Sequence, residues 1–339
     1  MNLLQQWIRD FSDESREAVV AAFESGSLAK ARRALRLLQS DRADAPALHV
    51  ELLGTFSLEP LQPFLQLALE CLPSAAEIQL APLDSIEAHL AHPSTSMPAG
   101  ASARVIVWRL EEVLPEALYP FTHGFPHAIE ARVSQLLERA ERLVGMHQRN
   151  APGVPLFLST LALPAYFSQP LFAAQHHAGV MGAVARVNQR IYELASRGDG
   201  VHVLDLASWA AHEGRDHSDA MLDFAARQPF SAKGQASFAL FLARTLRPLV
   251  VPRRKVLAVD LDNTLWGGVV GEDGIAGLKL GHDFPGNVHL RIQRELLELR
   301  NRGVLLVLLS KNNEADAREA FEALPDMLLK WDDFALRKV

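Results

Sequence analysis

Residues 256–265 read Val256-Leu257-Ala258-Val259-Asp260-Leu261-Asp262-Asn263-Thr264-Leu265. An apolar run of β-forming character ends in two carboxylates two residues apart. On a strand, residues i and i+2 share a face, so the strand delivers Asp260 and Asp262 side by side at its carboxyl end. Open α/β sheets bind ligands at that edge. Two carboxylates this close repel each other unless a cation lies between them or one is protonated. Mg²⁺ takes oxygen ligands and commonly sits beside substrate phosphates. The pair therefore points to Mg²⁺ held by Asp260 and Asp262, and to phosphoryl chemistry. One Asp attacks phosphorus to form an aspartyl-phosphate, and its neighbour handles the leaving-group proton.

Downstream, the pattern predicts a helix over 286–302, a strand over 304–310, a helix over 314–323 and a short strand at 327–330. The second strand ends at Ser310. Its hydroxyl and the following backbone N–H groups suit a phosphate oxygen where a helix begins. Asn312 and Asn313 extend that cradle, and Lys311 either neutralises phosphate charge or faces solvent. Between the two strands, residues 266–281 hold Gly267, Gly268, Gly271, Gly274, Gly277 and Gly281. This stretch reads as a flap that closes over the site, or as a plain hairpin.

The motif Asp260-Leu261-Asp262-Asn263-Thr264 resembles the D-x-D-x-T signature of the haloacid dehalogenase (HAD) phosphotransferases. Leu265-Trp266-Gly267-Gly268-Val269-Val270-Gly271-Glu272-Asp273-Gly274 is similar to the FkbH-like subfamily, and so are Ser310-Lys311-Asn312-Asn313-Glu314 and Asp332-Asp333-Phe334. The resemblance implies Asp260 as nucleophile, Asp262 as general acid/base, Thr264 in the supporting turn, Mg²⁺ as cofactor, and Thr264, Ser310, Lys311 and Asn312 as the phosphate-binding group. It also implies a phosphorylated small acid as substrate and an acyl carrier protein as partner, in polyketide or related biosynthesis. Two positions depart from the family. Leu309 stands where glyceryl-loading members are thought to carry a Cys. The third-motif cation and fourth-motif acids normally follow the last residues of this sequence, and Lys338 falls before the expected third-motif position. The second unit is thus expected to be an incomplete, truncated HAD Rossmann-like domain.

Upstream, residues 248–255 carry two prolines and three basic residues and mark a boundary between units 1–250 and 251–339. Residues 13–38 read as helices broken near 25–27. Strands are expected at 48–54, 77–81, 104–109, 154–160 and 201–206. Helices fall at about 58–71, 84–91, 127–149, 171–197 and 231–247, and a loop at 93–103. Alternating strands and helices predict the fold class: α/β, two three-layer units with mostly parallel sheets. The first unit resembles the SGNH hydrolase fold, as the amino-terminal domain of FkbH-like proteins does. Phe56 occupies the nucleophilic Ser position, and Pro229 stands where the His would be. A Ser hydrolase needs a base, so this unit is expected to be a scaffold or docking module, with Ser57 as a displaced nucleophile in the alternative.

The chain has 339 residues, 49% hydrophobic content and a net charge of −6. It has the apolar content for two cores and shows no basic stripe for nucleic acid. The single Cys71 excludes an internal disulfide framework and fits a reducing cytoplasm. The amino terminus lacks a signal pattern, and no apolar run is long enough to span a bilayer. Cys71 reads as core. The pairs His176–His177 and His123–His127 read as ordinary residues rather than metal ligands. Arg32, Arg33 and Arg36 form a basic helix face, either solvated or suited to an acidic carrier protein. Three readings follow: an FkbH-like phosphatase/acyltransferase, a plain Mg²⁺-dependent phosphatase favoured by Leu309, and a non-catalytic docking module with a vestigial second unit.

Overall fold

The computed structural model describes residues 2–39, 47–92, 102–122, 126–164, 166 and 169–338. The chain divides into two compact units, Met1–Val251 and Pro252–Val339. The first begins with α1 (Asn2–Trp7), α2 (Asp13–Ser25) and α3 (Leu28–Gln39). The Ser12 side chain caps α2 by accepting from Ser15 N at 3.2 Å. Gly26 ends it in the left-handed region, at φ +62°, with the Ala232 backbone only 2.6 Å from where a Cβ would stand. Both the turn and the close approach require glycine there.

Five strands follow: β1 (Ala47–Gly54), β2 (Ala75–Leu80), β3 (Ser102–Val107), β4 (Leu156–Ser159) and β5 (Val201–Leu204). Between them lie α4 (Gln62–Glu70), α5 (Ile86–Ala91), α6 (Leu110–Val113), α7 (His127–Asn150), α8 (Pro170–Gln175) and α9 (Val180–Ser196). After β5 come α10 (Leu206–Glu213), α11 (Ala220–Ala226) and α12 (Ala232–Leu246). The strands pair in the order β2-β1-β3-β4-β5, every pair parallel. Leu48, Val50 and Leu52 of β1 and Val105 and Val107 of β3 bury with α2, α3, α4 and α12. Leu53, Ile106 and Leu158 bury on the other face with α5, α7 and α9. The unit is a three-layer α/β sandwich. All six residues of β3 are buried, as a parallel strand covered on both faces requires.

One of those six is Arg104, 1% exposed. Its Nε donates to Glu51 Oε2 on β1 at 2.6 Å, and Glu51 Oε1 lies 2.8 Å from His89 Nε2. On its other side Arg104 donates to His147 Nδ1 at 3.2 Å, and His147 Nε2 meets the Val154 carbonyl at 2.8 Å. An Arg only donates and a carbonyl only accepts, so His147 is neutral with its proton on Nε2. Burial holds its pKa below the ordinary imidazole value.

Several expectations need correction. The helix expected over 171–197 is two helices, because the backbone is extended at His176 (φ −88°, ψ 135°) and again at Gly179 (φ −67°, ψ 159°). His176 and His177 sit in the turn between them, their rings stacked at 4.5 Å. Ser102 and Ala103 belong to β3 rather than to a loop; the rest of that loop, 93–101, and His123 lie outside the described residues. The helices α10 and α11 are additional to the sequence reading. Asp205 and Asp219 cap them by accepting from Ser208 N at 3.1 Å and Leu222 N at 3.0 Å.

The second unit comprises β6 (Val256–Val259), α13 (Val270–Gly277), α14 (Gly286–Asn301), β7 (Leu305–Leu309), α15 (Glu314–Ala323) and β8 (Phe334–Lys338). Its sheet is parallel in the order β6-β7-β8. Val259, Leu306, Leu308 and Phe334 pack with Leu296 of α14 and Phe321 of α15. On the sheet, Val256, Leu305 and Leu336 are 52%, 54% and 60% exposed. The short strand expected at 327–330 is displaced to 334–338. The amide of Gln293, fully buried on α14, takes the Leu328 and Leu329 N–H groups at 2.9 and 3.1 Å, so those groups join no ladder. Among the described residues no helix is long and apolar enough to cross a membrane.

Candidate active site

Strand β6 ends at Val259, and the chain turns immediately beyond it. Leu265 N and Thr264 N both bond to the Leu261 carbonyl, at 2.8 and 3.1 Å. Asn263 takes a left-handed φ of 55°, a conformation that Asn tolerates better than most residues. Its side-chain oxygen accepts from Gly268 N at 3.0 Å. This turn leaves Asp260 exposed and Asp262 half-buried. Asp260 Oδ1 accepts from Leu261 N at 2.8 Å. Asp262 Oδ1 accepts from Trp266 Nε1 at 3.0 Å and from Val270 N at 3.2 Å.

The neighbouring strand β7 ends at Leu309, and β8 runs beside it. The Ser310 N–H donates to the Lys338 carbonyl at 3.0 Å, which ties the two strand ends together. Asp260, Asp262, Leu309, Ser310, Lys311, Asn312 and Lys338 line one cavity of about 490 Å³. Five of the six residues singled out in the sequence thus meet in one place. The sixth, Thr264, is not in the lining; its carbonyl accepts from His289 Nδ1 at 2.9 Å. Asn313 is also absent from the lining, because its side chain caps α15 by accepting from Ala315 N at 3.0 Å. Asn312 Nδ2 is buried with no hydrogen-bond partner. A buried donor without an acceptor is costly, and this one belongs to a residue that walls the cavity.

Sequence position alone puts Lys338 outside the expected motif. The structure brings it to the cavity because β8 begins seven residues later than the strand read at 327–330. The cavity therefore has two cationic side chains, Lys311 and Lys338, facing two carboxylates. Two other contributors were not legible as site residues. Trp266, fully buried, holds Asp262, and Gln293 donates to the Leu265 carbonyl at 2.8 Å and so braces the motif turn from behind. The i, i+4 spacing of Asp262 and Trp266 was the available signal for the first.

The stretch read as a closing flap or a plain hairpin is largely ordered structure. It carries α13, kinked at Gly274, and its ends are joined by reciprocal Gly267–Lys279 backbone bonds of 2.9 and 2.8 Å. Val270 and Leu278 are buried in the unit's core.

The donor set suits Mg²⁺. Asp260 has one oxygen engaged by Leu261 N and a second left for a cation, and Asp262 has a single carboxyl oxygen engaged by protein N–H groups. Among the described residues no third His, Cys, Asp or Glu joins them. A hard cation that keeps several waters and binds through one or two carboxylates plus a phosphate matches that set.

In the first unit the residues that would stand in a serine-hydrolase site are otherwise occupied. Phe56 is 2% exposed and packs edge-on against Phe230 at 5.4 Å. The Ser57 hydroxyl donates to the Ala226 carbonyl at 2.9 Å rather than to a base.

No family model and no curated protein matches this chain. Among solved structures it is similar to the N-terminal part of a Bacteroides fragilis protein that contains a phosphatase domain complexed with Mg. The TM-score is 0.73 at 21% identity, over 89% of this chain and 79% of that one. The chain shares the fold of that protein. A second match, the salicylyl-acyltransferase of a tetracycline biosynthetic pathway, has a TM-score of 0.39 at 18% identity, over 62% of this chain and 57% of that one.

Proposed function

We propose that the second unit is a Mg²⁺-dependent phosphatase site of the HAD type, in an FkbH-like protein acting on a phosphorylated small acid. The observation that carries this reading is the single cavity shared by Asp260, Asp262, Ser310, Asn312 and Lys338. Asp260 supplies the carboxylate oxygen that attacks phosphorus, and the phosphate ester P–O bond breaks as the Asp260–phosphate bond forms. Asp262 gives its proton to the departing alkoxide, then takes one from the water that hydrolyses the aspartyl-phosphate. Trp266 Nε1 and Val270 N fix the Asp262 carboxyl through one oxygen and leave the other for that transfer. Ser310 and the free Asn312 amide bind phosphate oxygens, while Lys311 and Lys338 balance its charge. The Asp260 carboxylate and the Asp262 backbone carbonyl would hold Mg²⁺, which would supply further charge neutralisation at the phosphate.

One observation favours hydrolysis without acyl transfer through this cavity. Leu309 lines it, 44% exposed, and presents no thiol that would carry a thioester. The partner proposed from the resemblance is an acidic acyl carrier protein, a reading supported by the exposure of Arg32, Arg33 and Arg36 on α3.

The test is hydrolysis of p-nitrophenyl phosphate by the full chain with and without Mg²⁺, alongside Asp260→Asn. Mg²⁺-dependent turnover that falls by about a thousandfold or more in the variant is expected, since the carboxamide is no nucleophile. Turnover that survives Asp260→Asn would overturn the assignment.

A further inference from the structure

The carboxyl edge of the five-stranded sheet holds a second cavity, of about 480 Å³. That volume lies within the range of ~300–1,000 Å³ usual for small-molecule sites. Its place follows from topology. The chain leaves β1 toward β2 on one side and returns to β3 on the other, so a crevice opens outside the strand ends where the order reverses. Just beyond β1, the buried Phe56 packs edge-on at 5.4 Å against Phe230 of the cavity wall. The space that remains lies beyond β3, β4 and β5, walled by the segments after those strands and by α10 and α11.

The cavity has two chemically distinct parts. Its body is apolar, formed by Leu110, Leu163, Trp209, Ala210 and Phe230. Its polar end is built around Arg109, which is 9% exposed. The guanidinium donates to both oxygens of Asp223, at 2.8 and 2.9 Å, and its Nε donates to Glu111 at 3.1 Å. Asp219 also lies in the wall. One cation thus faces three lining carboxylates, with Glu112 a further 3.6 Å from the same guanidinium. An arriving anion meets net negative charge and a guanidinium already paired on its fork.

His217 completes the wall. Its ring stands edge-on to Trp209 at 5.0 Å, and its Nδ1 hydrogen-bonds the Gly214 carbonyl. A carbonyl only accepts, so Nδ1 carries a proton. The charged groups on the wall are thus three carboxylates, which accept hydrogen bonds, and one guanidinium already paired with two of them.

We propose that this cavity is a second binding site, for an elongated apolar molecule ending in a hydrogen-bond-donating head, an amine or a hydroxyl, and that it discriminates against carboxylates and phosphates. The site lies wholly within the first unit and is independent of the phosphatase reading of the second.

The test titrates the full chain with three probes of equal chain length, n-octylamine, 1-octanol and octanoate, each below its aggregation threshold. Binding is read by tryptophan fluorescence and by thermal shift. Saturable binding of octylamine and octanol is expected, with octanoate at least about tenfold weaker. Trp209→Phe should remove the fluorescence change while the thermal shift persists. Ala210→Trp, which fills the apolar body, should abolish both. Leu163→Trp, at an exposed position on the wall, gives the same test without altering a packed helix. Asp223→Asn frees the Arg109 fork and should move the preference toward octanoate by about tenfold. The proposal is overturned by octanoate binding the unaltered chain as tightly as octylamine. It is equally overturned by octylamine binding that both Ala210→Trp and Leu163→Trp leave intact in folded protein.

Discussion

Trp266 Nε1 donates to Asp262 Oδ1 at 3.0 Å, and the indole that makes this bond is fully buried, edge-on to Phe321 at 5.8 Å. The orientation of the proposed acid/base is thereby set by the core of the unit. Trp266→Phe keeps most of the buried ring and loses the donor. A hydrogen bond to a charged group contributes about 1.5–3 kcal/mol, and Val270 N still holds the same oxygen. Steady-state kinetics with a phosphate monoester should show kcat reduced about tenfold with KM nearly unchanged, the signature of an interaction used in the transition state. An unchanged kcat would show that Val270 N alone positions Asp262.

Asn312 Nδ2 is a buried donor without a partner. If it meets a phosphate oxygen, Asn312→Ala loses binding shared by ground and transition states. KM should then rise by about tenfold with kcat little changed. The same substitution removes an unsatisfied buried group, so the melting temperature of the ligand-free protein should not fall. Inorganic phosphate, as a product inhibitor, should weaken in parallel. A lowered melting temperature with unaltered KM would assign Asn312 to the fold instead.

Lys338 lines the cavity at the end of β8, and its backbone carbonyl accepts from Ser310 N. Side-chain substitution leaves that backbone bond in place. Lys338→Met should lower kcat/KM by about tenfold to a hundredfold, because charge opposite the phosphate is lost where electrostatics contribute most. Lys338→Arg should retain most activity. Equal kinetics for Lys338→Met and the unaltered chain would leave Lys311 as the only lining cation with a role.

The motif strand and its two acids were readable because the signal is local: a β-forming run and a spacing of two. The parallel order of the first sheet was readable for a similar reason, since strands and helices alternate with clear apolar content. The later elements failed where tertiary contacts override pattern. Met327-Leu328-Leu329-Lys330 looks like a strand, yet Gln293 captures its N–H groups. Phe334-Ala335-Leu336-Arg337-Lys338 is a strand with only Phe334 buried, so it carries little apolar period. The burial of Gln293 itself depends on packing between α14, the motif turn and residues 328–329, and no spacing in the sequence announces it. The network around Arg104 did leave a trace: a lone acid in one apolar strand and a lone base in another.

Glu51 and Arg104 form a buried pair, 3% and 1% exposed, in adjacent strands. Glu51→Gln removes the charge and leaves the guanidinium uncompensated in the sheet. Breaking a buried pair from one side costs about 3–5 kcal/mol, and chemical denaturation should show a loss of that size. Replacing both partners, as Glu51→Met with Arg104→Leu, should recover most of it, because paired apolar groups of similar volume remove both desolvation costs. A single variant within about 1 kcal/mol of the unaltered chain would show that water or His89 restores the balance.

Glu112 is held at about 7 rather than 4.5, principally because burial disfavours its charged form; the nearby Arg109 guanidinium opposes that rise, while Glu111 and Asp223 add to it. A carboxyl whose pKa is raised on folding binds its proton more tightly in the native state. Its contribution is therefore fully present below about pH 4.5, declines as pH rises, and is lost above about pH 7. A tenfold difference in proton affinity corresponds to about 1.4 kcal/mol. The side chain is 21% exposed, and water screening reduces the expected loss to about 1–2 kcal/mol. Glu112→Gln keeps the shape of the neutral acid and removes the titration. Unfolding free energies of the two proteins should differ least near pH 5 and diverge toward about pH 8, where the Gln variant is the more stable by that amount. A difference that stays flat across this range would show that Glu112 ionises in the folded protein as it does in the unfolded chain.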